Sequence, residues 1–446
     1  MTIFWFRRDL RLADNHGLYA ALSKGEPVQA IFVFDKNILS KLADKNDARI
    51  SFIHQQLLKL NAELAKLGSS LWVFYGDPLS VFKNELQAKM PNNTSVGNVY
   101  ANHDYEPNAI QRDAAISEWL LSQNSELLTF KDQCIFEKKE VVKDDGLPYT
   151  VFTAYKNKYY KTLTAESFKS FDSQKYFTNF YANNGFPIPS LEEIGFEPSE
   201  IEFPVIEFES ILKEYANTRN FPSVKGTSRI SVHLRFGTVS IRALAKASFG
   251  KSETWFNELV WRDFYFQLSR AIDKLENPLK EKYSKIKWSN NKSHFDAWKN
   301  GKTGFPIVDA GMRQLNQTGF MHNRVRMVVA SFLTKDLHMD WRLGEKYFEE
   351  KLIDHDPAVN SGNWQWAAST GCDSVPYFRI FNPWRQQERF DLNCEYIKKW
   401  IPELEKIEPK IIHNLWNKFP DNLNYVKPMV IHKIEAEKTK MIFKSQ

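Results

Sequence analysis

Val28-Gln29-Ala30-Ile31-Phe32-Val33-Phe34, the stretch from Asp47 to Gly68 and Leu71-Trp72-Val73-Phe74-Tyr75 together decide the fold class. The first and third segments are short apolar runs rich in β-branched and aromatic residues, which read as buried strands. Between them Ile50, Ile53, Leu57, Leu60, Leu64 and Leu67 recur at spacings of three and four, so they share one helical face. Asp47 suits the N-cap of that helix and Gly68 its stop. Working outward, Ile3 to Phe6 is another apolar run, closed by Arg7-Arg8-Asp9. Val96 to Ala101 and Leu127 to Phe130 supply a fourth and a fifth, with helical stretches near 79–89 and 108–122 between. Strands alternating with helices predict a Rossmann-like parallel sheet over residues 1–131. Such sheets bind ligands at the carboxyl ends of their strands. No G-x-G-x-x-G follows the first strand, so ordinary NAD use is unsupported.

Residues 132–205 change character, with Lys138-Lys139, Asp144-Asp145-Gly146, Asn183-Asn184-Gly185 and repeated Pro between 187 and 204. They read as an interdomain linker with some local helix. Rings and lysines interleave over 151–161, which fits a solvated helix face better than a dedicated nucleic-acid contact. From 206 to 446 the pattern is all-α, with helices predicted at 206–217, 240–249, 253–274, 307–316, 323–338 and 344–353. The Lys-rich end from about 421 is weakly patterned and is expected to be loosely held.

The chain of 446 residues carries 60 Lys and Arg against 54 Asp and Glu, a net +6 that permits nucleic-acid binding without requiring it. Aromatic residues reach 14%, more rings than a core alone readily uses. Cys134, Cys372 and Cys394 are far apart and odd in number, so no disulfide framework or zinc spacing is visible and a reducing cytoplasm is the simplest reading. Charge appears within seven residues of the start, so no signal peptide is read there. No apolar run approaches the ~20 residues of a membrane helix.

Chemistry concentrates in Asp354-His355-Asp356-Pro357-Ala358-Val359-Asn360-Ser361-Gly362-Asn363-Trp364-Gln365-Trp366. Carboxylates two apart do not share a helix face, and Pro357 disfavours helix before it, so the start reads as a turn. Amides and indoles beyond it suit a planar heteroaromatic ligand; they suit a loop packed by two core tryptophans equally well. Gly226-Thr227-Ser228-Arg229-Ile230-Ser231 reads as a phosphate cradle or as a capped polar turn. On an apolar helix, Glu258, Trp261 and Arg262 share a face, where Glu258 and Arg262 also read as a plain ion pair. Asn323, Arg326 and Met327 share another, and Arg326 is placed to pair with Asp354 or Asp356.

These segments together resemble the photolyase/cryptochrome flavoproteins, most closely bacterial class I cyclobutane pyrimidine dimer photolyases. The likeness runs from Trp5-Phe6-Arg7-Arg8-Asp9-Leu10-Arg11 to Trp400-Ile401-Pro402-Glu403-Leu404. Its specific parts are Glu258-Leu259-Val260-Trp261-Arg262, the stretch from Gly301 to Arg313, His322-Asn323-Arg324-Val325-Arg326-Met327 and the stretch from Asn363 to Gly371. The resemblance implies an α/β domain, a linker and a C-terminal helical domain holding FAD, reduced in the active state. It implies that Thr227, Ser228, Arg229 and Ser231 hold the diphosphate. Asp354, Asp356, Arg326 and Arg262 would surround flavin and adenosine, with Asn360 facing flavin N5. Glu258, Trp261, Asn323, Met327 and Trp366 would line a pocket for a flipped dimer, Glu258 acting on it. Trp364, Trp341 and Trp288 would carry electrons between flavin and surface, and Arg324 and Arg379 would meet DNA phosphates. The expected substrate is UV-damaged DNA, and the expected protein is a monomer without metal or membrane segment.

Folate-binding relatives carry Glu where this chain has Ala109, and a His expected before Asp47 is missing. An antenna chromophore thus stands as folate, deazaflavin, another flavin or none. Plant light sensors of the cryptochrome type put Asp at the Asn360 position. (6-4) photolyases resemble His-His where this chain has His322-Asn323. Both rivals are disfavoured on those residues.

Overall fold

The computed structural model describes residues 1–91, 94–137, 139–271 and 277–446. It divides into two compact units. The first comprises Met1–Glu140, Tyr160–Ile206 and Arg229–Phe249, and the second Val141–Tyr159, Glu207–Ser228 and Gly250–Gln446.

The first unit is built on a parallel sheet of β1 (Thr2–Phe6), β2 (Val28–Asp35), β3 (Leu71–Gly76), β4 (Val99–Asn102) and β5 (Leu127–Phe130). Their order is β3-β2-β1-β4-β5, so strand order reverses between β1 and β4. Every residue of β1 is buried, as expected of a central parallel strand covered on both faces. Helices α1 (His16–Leu22), α2 (Ala48–Lys66) and α3 (Pro107–Ser122) connect the strands. The cap reading holds, since the Asp47 side chain accepts from the Arg49 N–H at 2.9 Å. Charge gathers just beyond the carboxyl end of β1. Arg7 pairs with Asp113 at 2.5 Å and Arg8 with Glu106 at 2.9 Å, while Arg7 and Arg112 flank the Trp5 ring.

The expected linker of 132–205 is not a free connection. Residues 160–206 fold with the sheet, and Tyr181 N–H donates to Val28 O at 2.9 Å. The Asn183 amide, in the expected linker, accepts from Trp72 Nε1 at 3.1 Å and donates to Gln29 Oε1 at 3.0 Å. Helix α4 (Phe152–Thr162) buries Phe152, Tyr155 and Tyr159, so its rings turn inward and its lysines outward. Helix α5 (Ile241–Ser248) starts on the Ser240 cap and also belongs to the first unit. Spatial neighbours recruit these segments, which periodicity along the chain does not register. Lys138 lies outside the described residues.

The second unit is helical: α6 (Glu253–Ala271), α7 (Lys292–Lys299), α8 (Pro306–Thr318), α9 (Asn323–Ser331), α10 (Trp341–Lys351), α11 (Pro357–Ala368) and α12 (His432–Lys444). The predicted end of α6 at 272–274 lies outside the described residues. The helix predicted at 206–217 is only two short turns, Glu209–Ile211 and Tyr215–Thr218. Phe208 there stacks on Trp255 with ring centroids 5.2 Å apart, a tertiary contact that outweighs local propensity. Helix α9 continues through a π-turn, Phe332–Asp336. The chain end is docked, contrary to expectation. Thr439 and Phe443 are 1% and 3% exposed, and His432 Nδ1 lies 2.5 Å from the Asp336 carboxylate.

Candidate active site

Helix α11 positions the site. Asp354-His355-Asp356 forms the predicted turn, and Pro357 then takes the first helical position, where its missing N–H costs nothing. Ser369 ends the helix in the left-handed conformation at φ 68°. One face of α11 closes a cleft with α9 and α10. Asn323, Arg326, Met327, Phe348, Asp354, Asp356, Asn360, Trp364 and Trp366 line it, around an empty volume of about 660 Å³ open to solvent.

Polar groups in the cleft are held from behind. Arg326 Nη2 donates to Asp354 Oδ2 at 2.9 Å, and its Nε donates to Met321 O at 2.8 Å. The Asp354 side chain is only 5% exposed, whereas that of Arg326 is 25% exposed, so the pair is buried on its carboxylate side. Asn360 Nδ2 donates to Glu345 O at 3.0 Å, which fixes the amide plane. His322 caps α9 by accepting the Arg324 N–H on Nδ1 at 3.2 Å. Burial, reinforced by Arg326, Arg324 and Arg219, pushes its pKa down to about 4. It is therefore neutral near pH 7. Apolar walls from Phe348, Met327 and Trp364 complete a slot with fixed acceptors and donors at its edges. That donor and acceptor set fits a flat heteroaromatic ring system such as a flavin.

Beside the cleft on α6, Glu258 meets a cation that sequence reasoning missed. Arg219 Nη1 donates to Glu258 Oε1 at 2.5 Å. The expected partner Arg262 instead lays its guanidinium over the Phe266 ring, 4.3 Å from the centroid, and is not part of the cleft lining. No motif flags Arg219, which lies 39 positions away. The one usable signal was a carboxylate on an apolar helix, which demands some cation. Although 35% of the Glu258 side chain is exposed, burial of the carboxyl raises its pKa, and Arg219 pulls it down. Trp261 is half-buried, and Phe152 stacks on it at 3.5 Å with the rings 4° apart. Tyr265 lies 5.7 Å from the same indole.

Trp364 and Trp341 are 2% and 0% exposed, and Trp288 is half-buried. Gly344 brings α10 against Trp364: a Cβ there would sit 2.2 Å from its ring. Trp341 begins the same helix, and Ser289, next to Trp288, bridges Met339. Trp364 and Trp341 belong to one buried core, and Trp288 packs against it. Arg324 donates to Asn220 Oδ1 at 2.7 Å and covers Phe390, whereas Arg379 is exposed in a turn. Thr227, Ser228, Arg229 and Ser231 stand outside the cleft lining. The first two belong to the second unit and the last two to the first. Arg229 has a positive φ of 53°. Among the described residues no cluster of His, Cys, Asp and Glu could hold a metal ion, and no helix is long and apolar enough to cross a membrane.

Known proteins are similar to this chain over its full length. Residues 2–173 match the family model described as DNA photolyase, and residues 255–445 that described as the FAD binding domain of DNA photolyase. A deoxyribodipyrimidine photo-lyase of Vibrio cholerae is 37% identical, aligned over 100% of this chain and 99% of its own. A bacterial class III photolyase structure from Agrobacterium tumefaciens has a TM-score of 0.86 and 32% identity, covering 100% of this chain and 97% of the other. An archaeal photolyase from Sulfolobus tokodaii, solved with two FAD molecules that imply a novel light-harvesting cofactor, has a TM-score of 0.81 and 35% identity, covering both chains fully. The cleft and these full-length likenesses lead to one conclusion: the chain belongs to the DNA photolyase family.

Proposed function

We propose that this chain is a light-driven carbon–carbon lyase that splits cyclobutane pyrimidine dimers in UV-damaged DNA. The observation that carries the reading is the cleft on α11, where the Arg326–Asp354 pair, Asp356, Asn360 and Trp364 line a slot sized for a ring system. Asp354, Asp356 and Arg326 would hold a reduced FAD there, and it would supply light-driven electron-transfer chemistry with no net redox change.

The chain's own residues do the rest. Asp354, Asp356 and Arg326 orient the cofactor, and Asn360 presents a fixed amide to it. Thr227, Ser228, Arg229 and Ser231 are assigned to the diphosphate, where hydroxyls and backbone N–H groups suit anionic oxygens. A dimer stacks poorly, so flipping it out of the duplex costs less than flipping a normal base. Trp261 and Trp366 replace part of the lost stacking, while Asn323 and Met327 sit on the rim. Phe152, Tyr265 and Phe264 already pack on the Trp261 indole, so a base is left only the part of the ring these three do not cover. Glu258 is the polar anchor. With its carboxyl pKa raised, it is poised to donate to a dimer carbonyl when protonated, and Arg219 holds it until substrate arrives. Arg324 and Arg379 meet backbone phosphates. Trp364, Trp341 and Trp288 return the flavin to its reduced state. An antenna chromophore is compatible with the first unit; Ala109, buried in the first turn of α3, offers a folate no carboxylate. A cytoplasmic monomer is the matching cellular reading, supported by three free cysteines.

Two measurements test it. Denatured protein must release FAD. Reduced protein must remove dimers from irradiated DNA under blue light and leave them in the dark. Flavin release without light-dependent repair would favour the light-sensor reading instead.

A further inference from the structure

We propose that Trp298 and Tyr347 form a second outlet for the electron vacancy that begins on Trp364, ending on a phenol at the protein surface. The proposal rests on the flavin reading above, because Trp364 is oxidised only if a light-excited oxidised flavin stands beside it. Among the described residues, the indole in ring contact with Trp364 is Trp298, with centroids 6.2 Å apart at 70°. Trp341 makes no such contact, although it is fully buried in the same core.

The two candidate acceptors differ in how they bear positive charge. An indole that loses an electron becomes a much stronger N–H acid, so an acceptor on that N–H stabilises the cation. Trp298 Nε1 donates to Val329 O at 3.1 Å. Among the described residues the Trp341 Nε1 is buried without a hydrogen-bond partner, so a cation there meets only a weakly polarisable surrounding. Local chemistry therefore favours Trp298 as the resting place of the vacancy.

From Trp298 the next oxidisable ring is Tyr347, 5.9 Å away at 63°. Its hydroxyl donates to Asn316 Oδ1 at 2.7 Å, and Asn316 is exposed. Burial keeps the phenol protonated before oxidation. One electron passes from Tyr347 to Trp298, from Trp298 to Trp364, and from Trp364 to the oxidised flavin. The phenolic proton leaves past Asn316 to water, and the product is a neutral tyrosyl radical that an added thiol reduces by giving up one hydrogen atom. Loss of the proton makes return of the charge slow, which Trp341 cannot arrange for lack of an acceptor.

The test uses the holoprotein with oxidised flavin, blue light and a thiol, on Trp341→Phe alone and combined with Tyr347→Phe or Trp298→Phe. Flavin bleaching is followed by absorbance, and the radical by electron paramagnetic resonance with and without ring-deuterated tyrosine. Trp341→Phe is expected to keep measurable bleaching, slower than wild type, with a radical signal that narrows on tyrosine deuteration. Adding Tyr347→Phe, which keeps the ring and leaves the core untouched, should abolish both. Adding Trp298→Phe should do the same. Absence of bleaching in Trp341→Phe would overturn the branch, as would bleaching there that Tyr347→Phe leaves unchanged. If wild type fails to bleach, or Trp364→Phe bleaches like wild type, the flavin reading itself falls and the branch with it.

Discussion

Replacing Asp336 by Asn should stabilise the protein at alkaline pH and lose that advantage in acid. Asp336 sits in the π-turn after α9 with a fully buried side chain. One carboxylate oxygen faces His432 Nδ1 at 2.5 Å, while Oδ2 is buried with no hydrogen-bond partner among the described residues. Glu435 on α12 adds a second negative charge nearby, and burial outweighs the help of His432. The carboxyl is consequently pushed up from its ordinary 3.8 to about 6. A tenfold change in proton affinity is worth about 1.36 kcal/mol, so keeping Asp336 ionised inside the fold costs about 3 kcal/mol. A group whose folded pKa lies above its unfolded one contributes fully below the unfolded value and loses that contribution as pH rises through the folded value. Asn keeps the shape and one hydrogen bond to His432 and never ionises. The gain from Asp336→Asn should therefore approach about 3 kcal/mol near pH 8, with about 1.4 kcal/mol of it developing between pH 5 and pH 8. Urea unfolding followed by far-ultraviolet circular dichroism, on both proteins across that range, reads the difference directly. A gap that stays flat with pH, or a variant less stable than wild type at pH 8, would refute the argument.

Glu258→Ala should keep FAD, photoreduction and most DNA affinity, yet lower the dimers repaired per absorbed photon; an unchanged yield would make the Arg219–Glu258 pair structural only. The loss should stay below the hundredfold or so typical of a deleted oxyanion donor, because yield is a competition between ring opening and electron return. Arg324→Ala should flatten the salt dependence of duplex binding by roughly 0.9 in logarithmic slope if it meets one phosphate, and an unaltered slope would leave it as the partner of Asn220. Trp261→Ala should cut the preference for damaged over undamaged DNA about tenfold, since stacking on a ring is worth on the order of 1–3 kcal/mol per base. Equal losses on both DNAs would mean that Trp261 serves only its stack with Phe152.

Periodicity along the chain determined much of this protein. The apolar runs at Ile3, Val28 and Leu71, with the α2 stripe between the last two, were enough for a parallel sheet, because strand and helix burial is written at spacings of two to four residues. The turn at Asp354 and the shared face of Asn323, Arg326 and Met327 were legible for the same reason, whereas the choice of Asp354 over Asp356 as the partner of Arg326 was not. Tertiary structure alone decided whatever depended on distant partners. Arg219 reaches Glu258, Phe152 covers Trp261, and Val329 receives the Trp298 N–H, none of which leaves a pattern within one helix. The docked terminal helix α12 is the plainest case. Its Lys-rich sequence reads as loosely held, yet Phe443 and Thr439 find a buried seat whose other half, the Lys335-Asp336 turn, lies about a hundred residues earlier. Local sequence sets which way a side chain faces on its own element; what that face meets is settled only when the elements pack.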